Sequence, residues 1–308
     1  MKLKTKFYKA GAYIKQYWLL YLFLVPGILQ MVLFKYLPMG GLLIAVKDYS
    51  ITKGVGASPW VGLFNFATLF SSSSFLEVFR NSLINSFLLF IWAFPAPVIL
   101  SILLNEMQCV SYKKAMQTIL YLPHFISWVV VASIAMSILG TSAGSVINDI
   151  LARLGKPKIS FLSDPKYFRT VLVGTSIWKN SGWGTVVYLA ALAGIDPALY
   201  EAAVVDGANR LQRIYHITLP CILNTIVVML ILNIGNLMTN NFEQTWLLRN
   251  NLNKSVSEVL ETYSYKIGLQ ENKFSYSAAI GMFQSVVGCV LLLTSNYVSK
   301  KTGGNGLW

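Results

Sequence analysis

Charge is what this sequence has least of. Asp, Glu, Lys and Arg make up 12% of its 308 residues, against roughly 25% in an ordinary soluble domain. Acid is scarcer still: 12 Asp and Glu face 25 Lys and Arg, a net charge of +13. So few charges could not cover a soluble globule of this size, which excludes a typical cytosolic enzyme. Hydrophobic residues reach 55% and the mean hydropathy is +0.56, which excludes a disordered or collagen-like chain. Cys109, Cys221 and Cys289 lie far apart, with no CxxC or Cys/His cluster. Neither a disulfide framework nor a metal site follows from them, and they read as packing residues. His124 and His216 are the only histidines, and neither stands in a Ser or Cys nucleophile pattern. No GxxxxGK[ST] loop occurs, so the chain has no usual cradle for ATP phosphates. No carboxylate pair stands within an apolar run, as glycoside hydrolysis would need. No catalytic residue is assigned.

What the sequence has is long apolar runs. A membrane-crossing helix needs about 20 mostly apolar residues. Six stretches qualify: 18–44, 82–104, 115–139, 168–193, 217–239 and 276–298. The first opens on Tyr17, Trp18 and Tyr21, aromatics expected at a headgroup boundary. It is too long for a cleavable signal peptide and no small-residue cleavage site follows it. The basic residues are scattered between these runs, which favours juxtamembrane charge over nucleic-acid binding. Lys2, Lys4, Lys6, Lys9 and Lys15 favour a cytoplasmic N-terminus, and six spans then place the C-terminus inside as well. The expected organisation is an N-terminal segment 1–17, a transmembrane domain 18–299 and a C-terminal tail 300–308. Pro26, Pro95, Pro97 and Pro123 interrupt spans and predict kinks, either structural or shaping a cavity.

The loop after the fourth run, 196–220, carries the most specific pattern. Asp196 can cap a short helix whose first turn accepts Pro197. Gly207 can end that helix in a left-handed conformation. A second short helix would follow, and Pro220 would start the fifth span. Ala202 and Ala203 offer a small surface to a close partner, surrounded by Glu201, Asp206, Arg210 and Arg213. Residue by residue the loop reads E-A-A-x2-D-G-A-x8-I-x-L-P, from Glu201 to Pro220.

That pattern resembles the signature loop of binding-protein-dependent ABC-importer permeases, and every defined position matches. Supporting motifs run the length of the chain. They include Phe34-Lys-Tyr-Leu-Pro-Met39, Trp60-Val-Gly-Leu-Phe-Asn-Phe66, Gly182-Trp-Gly184 and Asn241-Phe-Glu-Gln244. These look like the maltose-type sugar permeases, most of all their polysaccharide-fragment branch. The resemblance implies an all-α membrane protein with six spans of the type I ABC importer permease fold and cytoplasmic termini. It implies that Glu201, Ala202, Ala203, Asp206, Gly207 and Ala208 form a coupling helix docking on a separate ATPase subunit. The implied assembly holds a second homologous permease, two ATPase subunits or domains and an extracytoplasmic sugar-binding protein in a bacterial plasma membrane. ATP and Mg would bind the ATPase, with no cofactor on this chain. The implied cargo is an oligosaccharide or polysaccharide fragment.

Polar residues inside the runs are candidates for the sugar path. Asn233, Asn236 and Asn240 are spaced to share one face of a helical fifth span. They would meet either sugar hydroxyls or neighbouring spans. Gln284 in the sixth run is similar. Trp178, Lys179 and Asn180 interrupt the fourth. A lysine at membrane depth is a functional-site hypothesis, and it either faces the cavity or snorkels or pairs. Peptides or polyamines are alternative cargoes. An ion-coupled secondary transporter is a further alternative, disfavoured because acidic residues are nearly absent from the runs.

Overall fold

Backbone N–H and C=O groups find no water in the hydrocarbon layer, so spanning segments must close their own hydrogen bonds. The apolar runs accordingly become helices. The computed structural model describes residues 16–301 and 306–307, and all its regular elements among these are helical. The N-terminal lysines and Trp308 lie outside the described residues. In chain order, α1 is Trp18–Val46, α2 is Phe64–Ser71 and α3 is Ser73–Asn105. A broken third span follows as α4, Val110–Phe125, and α5, Trp128–Leu139, with a bend of 103° between them. Next come α6, Val146–Arg153, and α7, Pro165–Ala193. The short α8, Pro197–Val205, turns 73° from α7, and α9, Arg210–Gly235, leads back across. Three short helices follow: α10, Phe242–Leu248, α11, Lys254–Ser257, and α12, Leu260–Tyr265. The last is α13, Phe274–Lys301.

Among the described residues four helices are long and apolar enough to span, and the count rises to six if each bent pair is one span. The boundaries differ from the hydropathy reading where polar turns continue a helix. Thus α3 begins at Ser73, because Ser72 caps it by accepting the Phe75 N–H and its first turns carry Glu77, Arg80, Asn81 and Asn85. The short helix expected before Pro220 is not separate. Arg210–Arg213 runs into the fifth span through a widened π turn at Ile214–Thr218. A similar π turn, Val32–Tyr36, precedes Pro38 in α1. In both cases the proline lacks the donor for a regular turn and its ring crowds the preceding one, so the helix widens before it. Pro26 sits within α1 without breaking it. The expected break at Pro123 is the sharp one.

Two apolar clusters hold the bundle. One gathers Leu69, Phe75, Val78, Leu260, Tyr263, Ile267 and Ile280, where α2, α3, α12 and α13 meet. The other joins α5, α7 and α10 through Ala132, Ala135, Phe168, Leu172 and Leu248. The loops at that end are tied by buried asparagines. Asn81 donates to the carbonyls of Ser255 and Glu258. Asn253 does the same to Leu162 and Leu248. In contrast, the Trp18–Met31 part of α1 buries no residue against the rest of the chain.

Close approach of α4 and α7 depends on Gly182. A Cβ at this position would run into the Leu120 carbonyl, a backbone atom that cannot swing aside. Overpacking costs about 1–3 kcal/mol. Gly182→Ala should therefore lower the melting temperature of the purified protein. Gly174→Ala on the same helix, where a Cβ meets nothing within 4 Å, should not. Equal melting temperatures for the two variants would contradict this packing.

Candidate functional site

Three consecutive residues of α7 point to three different environments, as the turn of about 100° per residue requires. Trp178 lines an almost wholly apolar cleft of about 480 Å³ with Val131, Ile134 and Ile138 of α5. Lys179 is buried, only 6% exposed, and reaches the break between α4 and α5. Its ammonium donates to the carbonyls of His124, at 2.8 Å, Pro123 and Ile126, and lies over the Trp128 ring. The Pro123 carbonyl also accepts the Ile126 N–H, and Lys179 supplies a donor to the His124 and Ile126 carbonyls at the break. Lys179 therefore serves the fold at the bend rather than facing the cavity, and Trp178 likewise turns away from it. Asn180 alone of the three lines the central cavity.

That cavity, about 350 Å³, lies between α3, α7, α9 and the turn beyond α9. From α7 it takes Ser176, Asn180, Gly184 and Tyr188, one residue every four along the helix. Helix α3 contributes Ser86, Phe90 and Phe94, and α9 contributes Met229 and Asn233. Asn236, Thr239, Asn241 and Gln244 complete it from the turn and α10. No charged side chain is among its lining residues. Asn233 donates through Nδ2 to the Met229 carbonyl at 2.9 Å, and Asn236 to that of Leu232 at 3.1 Å. Each Oδ1 is left as an acceptor for a hydroxyl.

One sequence expectation is corrected here, and one left open is resolved toward a contact within the fold. The helix ends at Gly235, so Asn240 does not share a face with Asn233 and Asn236. The turn carries it into the protein, 3% exposed, where it accepts from the Ser86 hydroxyl at 3.4 Å. Gln284 does not line the cavity either. Its Nε2 donates to the Met238 carbonyl at 3.0 Å and pins the same turn. The cavity residues that hydropathy missed on α7 have a signal in the sequence, the fourfold spacing of Ser176, Asn180, Gly184 and Tyr188.

The loop after α7 folds as its residues dictate. The Asp196 carboxylate accepts the Ala198 N–H at 2.9 Å, and Pro197 opens the helix. Gly207 stands at φ +77. The N–H of Ala208 bonds to the Ala203 carbonyl and that of Gly207 to the Val204 carbonyl, a complete Schellman stop. Asn209 and Gln212 then form a capping box for α9. Tyr200 ties α8 to α9 through the Thr218 hydroxyl at 3.0 Å. Around this well-fixed backbone, Glu201, Ala202, Asp206 and Gly207 are exposed, while Ala203 and Ala208 are half-buried. Apolar side chains stand out with them: Val205 is 87% exposed and Leu211 73%.

Residues 65–303 match the family described as binding-protein-dependent transport system inner membrane component. The chain belongs to this family. This inner membrane component is 48% identical to protein LplB of Bacillus subtilis over 94% of the chain and 91% of the relative. The polygalacturonan/rhamnogalacturonan transport system permease protein YteP of the same organism is 43% identical over 94% and 90%. In structure it resembles a bacterial ABC transporter involved in the import of the acidic polysaccharide alginate, with a TM-score of 0.87 and 40% identity. That match covers 95% of this chain and 99% of the other. A second structure, of an alginate transporter in complex with an alginate pentasaccharide-bound periplasmic protein, matches at 0.87 and 39%, covering 96% and 98%. The transport component is therefore a multi-pass membrane protein of the type I ABC permease fold.

Removal of the Lys179 ammonium takes the side-chain donor from the His124 and Ile126 carbonyls at the bend. An unsatisfied buried polar group costs about 1–3 kcal/mol. Lys179→Met should markedly lower the thermal stability of the detergent-solubilised protein. Trp178→Leu, on the neighbouring face, should lower it far less. Wild-type stability in Lys179→Met would show that the carbonyls do not depend on this side chain.

Proposed function

We propose that the chain is one permease subunit of an ABC importer for oligosaccharides or polysaccharide fragments, and that its central cavity is part of the sugar path. The observation that carries this reading is the uncharged lining of amides, hydroxyls and aromatic rings. A sugar offers hydroxyls that both donate and accept, and amides answer both. Aromatic rings such as Phe90 and Phe94 supply apolar contact for the faces of sugar rings. Acidic sugars, of the kind named for YteP and the alginate transporter, meet no carboxylate in this lining and find donors in Asn180 and Asn241. A polyamine finds no counter-charge there, and the relatives give peptides and ion coupling no support.

Partners follow from surfaces that the chain leaves uncovered. The unburied first half of α1 suits a second, homologous permease subunit. The α8 segment suits a groove on a separate ATPase subunit: its apolar Leu199, Val204 and Val205 stand exposed beside Glu201 and Asp206. Glu201, Ala202, Ala203, Asp206, Gly207 and Ala208 act as the coupling helix in this reading. ATP and its magnesium belong to the ATPase, this chain breaks no bond, and an extracytoplasmic binding protein delivers the sugar at the opposite end. The organisation is 1–17 and 300–308 inside, with the transmembrane domain 18–299 between them.

Two experiments test the two halves of this reading. In assembled complexes, Asn233→Ala and Asn236→Ala should each slow oligosaccharide uptake while assembly and basal ATP hydrolysis persist. Uptake at the wild-type rate in both would remove the cavity from the path. At the loop, a Cβ on Gly207 meets no atom within 4 Å, so at φ +77 Gly207→Val introduces backbone strain of about 1–2 kcal/mol and places a branched side chain on the docking surface. Glu201→Lys reverses a charge where like-charge contact costs several kcal/mol. Both should weaken ATPase co-purification and abolish binding-protein-stimulated hydrolysis, with normal permease levels in the membrane. Normal association and stimulation in both would refute the coupling role.

A further inference from the structure

The turn beyond α9 carries Asn236, Thr239 and Asn241 to the cavity. Its conformation is set by a sealed polar cluster behind it. Glu261, on α12, accepts the Asn240 backbone N–H through Oε1 at 2.6 Å. Its other oxygen, Oε2, is shut off from solvent and has no hydrogen-bond partner. The Asn240 side-chain Nδ2 is in the same condition. Gln284 of α13 holds the turn one step earlier at Met238, and Ser86 of α3 holds Asn240 from the other side. Met238 itself is buried, 2% exposed. The cluster thus joins α3, α12, α13 and the turn at one point.

A carboxylate whose oxygen is sealed without a donor carries a large desolvation penalty unless it takes up a proton. No cation relieves it here. Helix α12 packs against α3, α10, α13 and the π turn Lys266–Gln270 that continues it. The titratable groups these elements bear nearest to it in sequence are Glu77 and Arg80 on α3, Glu243 on α10, Tyr276 on α13 and Lys266 in the π turn, whose ammonium pairs with Glu271. Tyr263 and Tyr265 share its own helix. None of these contributes to the electrostatics of Glu261, whose surroundings are amides and backbone N–H groups.

We propose that Glu261 is a positioning residue for transport, a proton-dependent clamp that in its neutral form fastens the 236–241 turn and its cavity-lining side chains. The proposal rests on the cavity being the sugar path. Burial supports it by raising the carboxyl from its ordinary value to about 7, against the opposing effect of the Asn240 backbone hydrogen bond. The sign follows from that direction. A carboxyl raised by folding is favourable while protonated, so the clamp holds below the raised value. It loosens as the pH climbs through about 7. Near neutral pH, small changes outside the cell would then alter how firmly the turn presents Asn236 and Thr239.

The test uses the assembled importer and two substitutions. Glu261→Gln is isosteric, stays uncharged at every pH and keeps an oxygen for the Asn240 N–H. Glu261→Ala removes the clamp. Met238→Cys, in a background without Cys109, Cys221 and Cys289, reports opening of the turn through its rate of labelling by a soluble maleimide. Near pH 8 the reporter should label several-fold faster with Glu261 than with Glu261→Gln, and near pH 6 the two should match. The comparison at each pH cancels the thiol's own pH dependence. Uptake should decline across this range in the wild type but not in Glu261→Gln, and Glu261→Ala should be impaired throughout. An identical labelling ratio at both pH values overturns the proposal, whether or not Glu261→Ala assembles. Labelling reads the turn and not the sugar. A labelling result as expected, with no change in uptake, would therefore leave the clamp standing and refute the cavity as the path.

Discussion

A break in a membrane helix strands carbonyls where no water can reach them, and this bundle answers that problem with one ammonium. Lys179 reaches across from α7 and gathers the carbonyls of Pro123, His124 and Ile126. Without it, a bend of 103° inside the third span would leave the His124 and Ile126 carbonyls without this donor. A charge at membrane depth is itself expensive, and here the carbonyl dipoles and the Trp128 ring offset that expense. Gly182, one turn further along α7, lets the α4 backbone come close enough for the arrangement to close. His124, stacked flat on Trp183 at 4.9 Å, completes the contact. The bend, the Lys179 anchor and the absent Cβ at Gly182 are one interdependent joint.

Once that joint sets the rotation of α7, the remaining faces of the helix are determined. The face of Trp178 turns to the apolar cleft beside α5, and the face of Asn180 turns to the cavity. The stripe from Ser176 to Tyr188 then stands opposite Phe90 and Phe94 of α3 and Asn233 of α9. No charged side chain lines this cavity, and Lys179 is occupied at the bend. What the cavity offers is amides, hydroxyls and rings. At the other end of α7, the same helix delivers its C-terminus to the 73° turn into α8, where Tyr200 ties α8 to the start of the fifth span through Thr218.

Much of this was legible in the sequence because its signals are local. Apolar runs of spanning length, the Asp196-Pro197 start and the Gly207 stop each dictate their own backbone. The first turns of α3 were hidden because Glu77, Arg80, Asn81 and Asn85 dilute the hydropathy, although their helix buries Asn81 and Asn85 against loop carbonyls. Asn240 leaves the face of Asn233 and Asn236 for a different reason. A shared face requires the helix to continue, whereas Gly235-Asn236 ends it. A Cβ at Gly235 would press on Leu292 of α13, so the glycine serves packing and the chain turns just beyond it. The role of Lys179 depends on carbonyls more than 50 residues away in sequence. Long-range contacts of that kind leave no periodic trace.

The central claim is that sugar passes along the Asn180 face of α7 and not along the Trp178 face two residues away. Photo-crosslinking in the assembled importer tests it most directly, with benzoylphenylalanine placed at Phe94 in the cavity or at Trp178 in the apolar cleft. During ATP-driven uptake of an acidic oligosaccharide, adducts should form from position 94 and be absent from position 178. Adducts from position 178 alone, with active uptake in both variants, would contradict the assignment of the path.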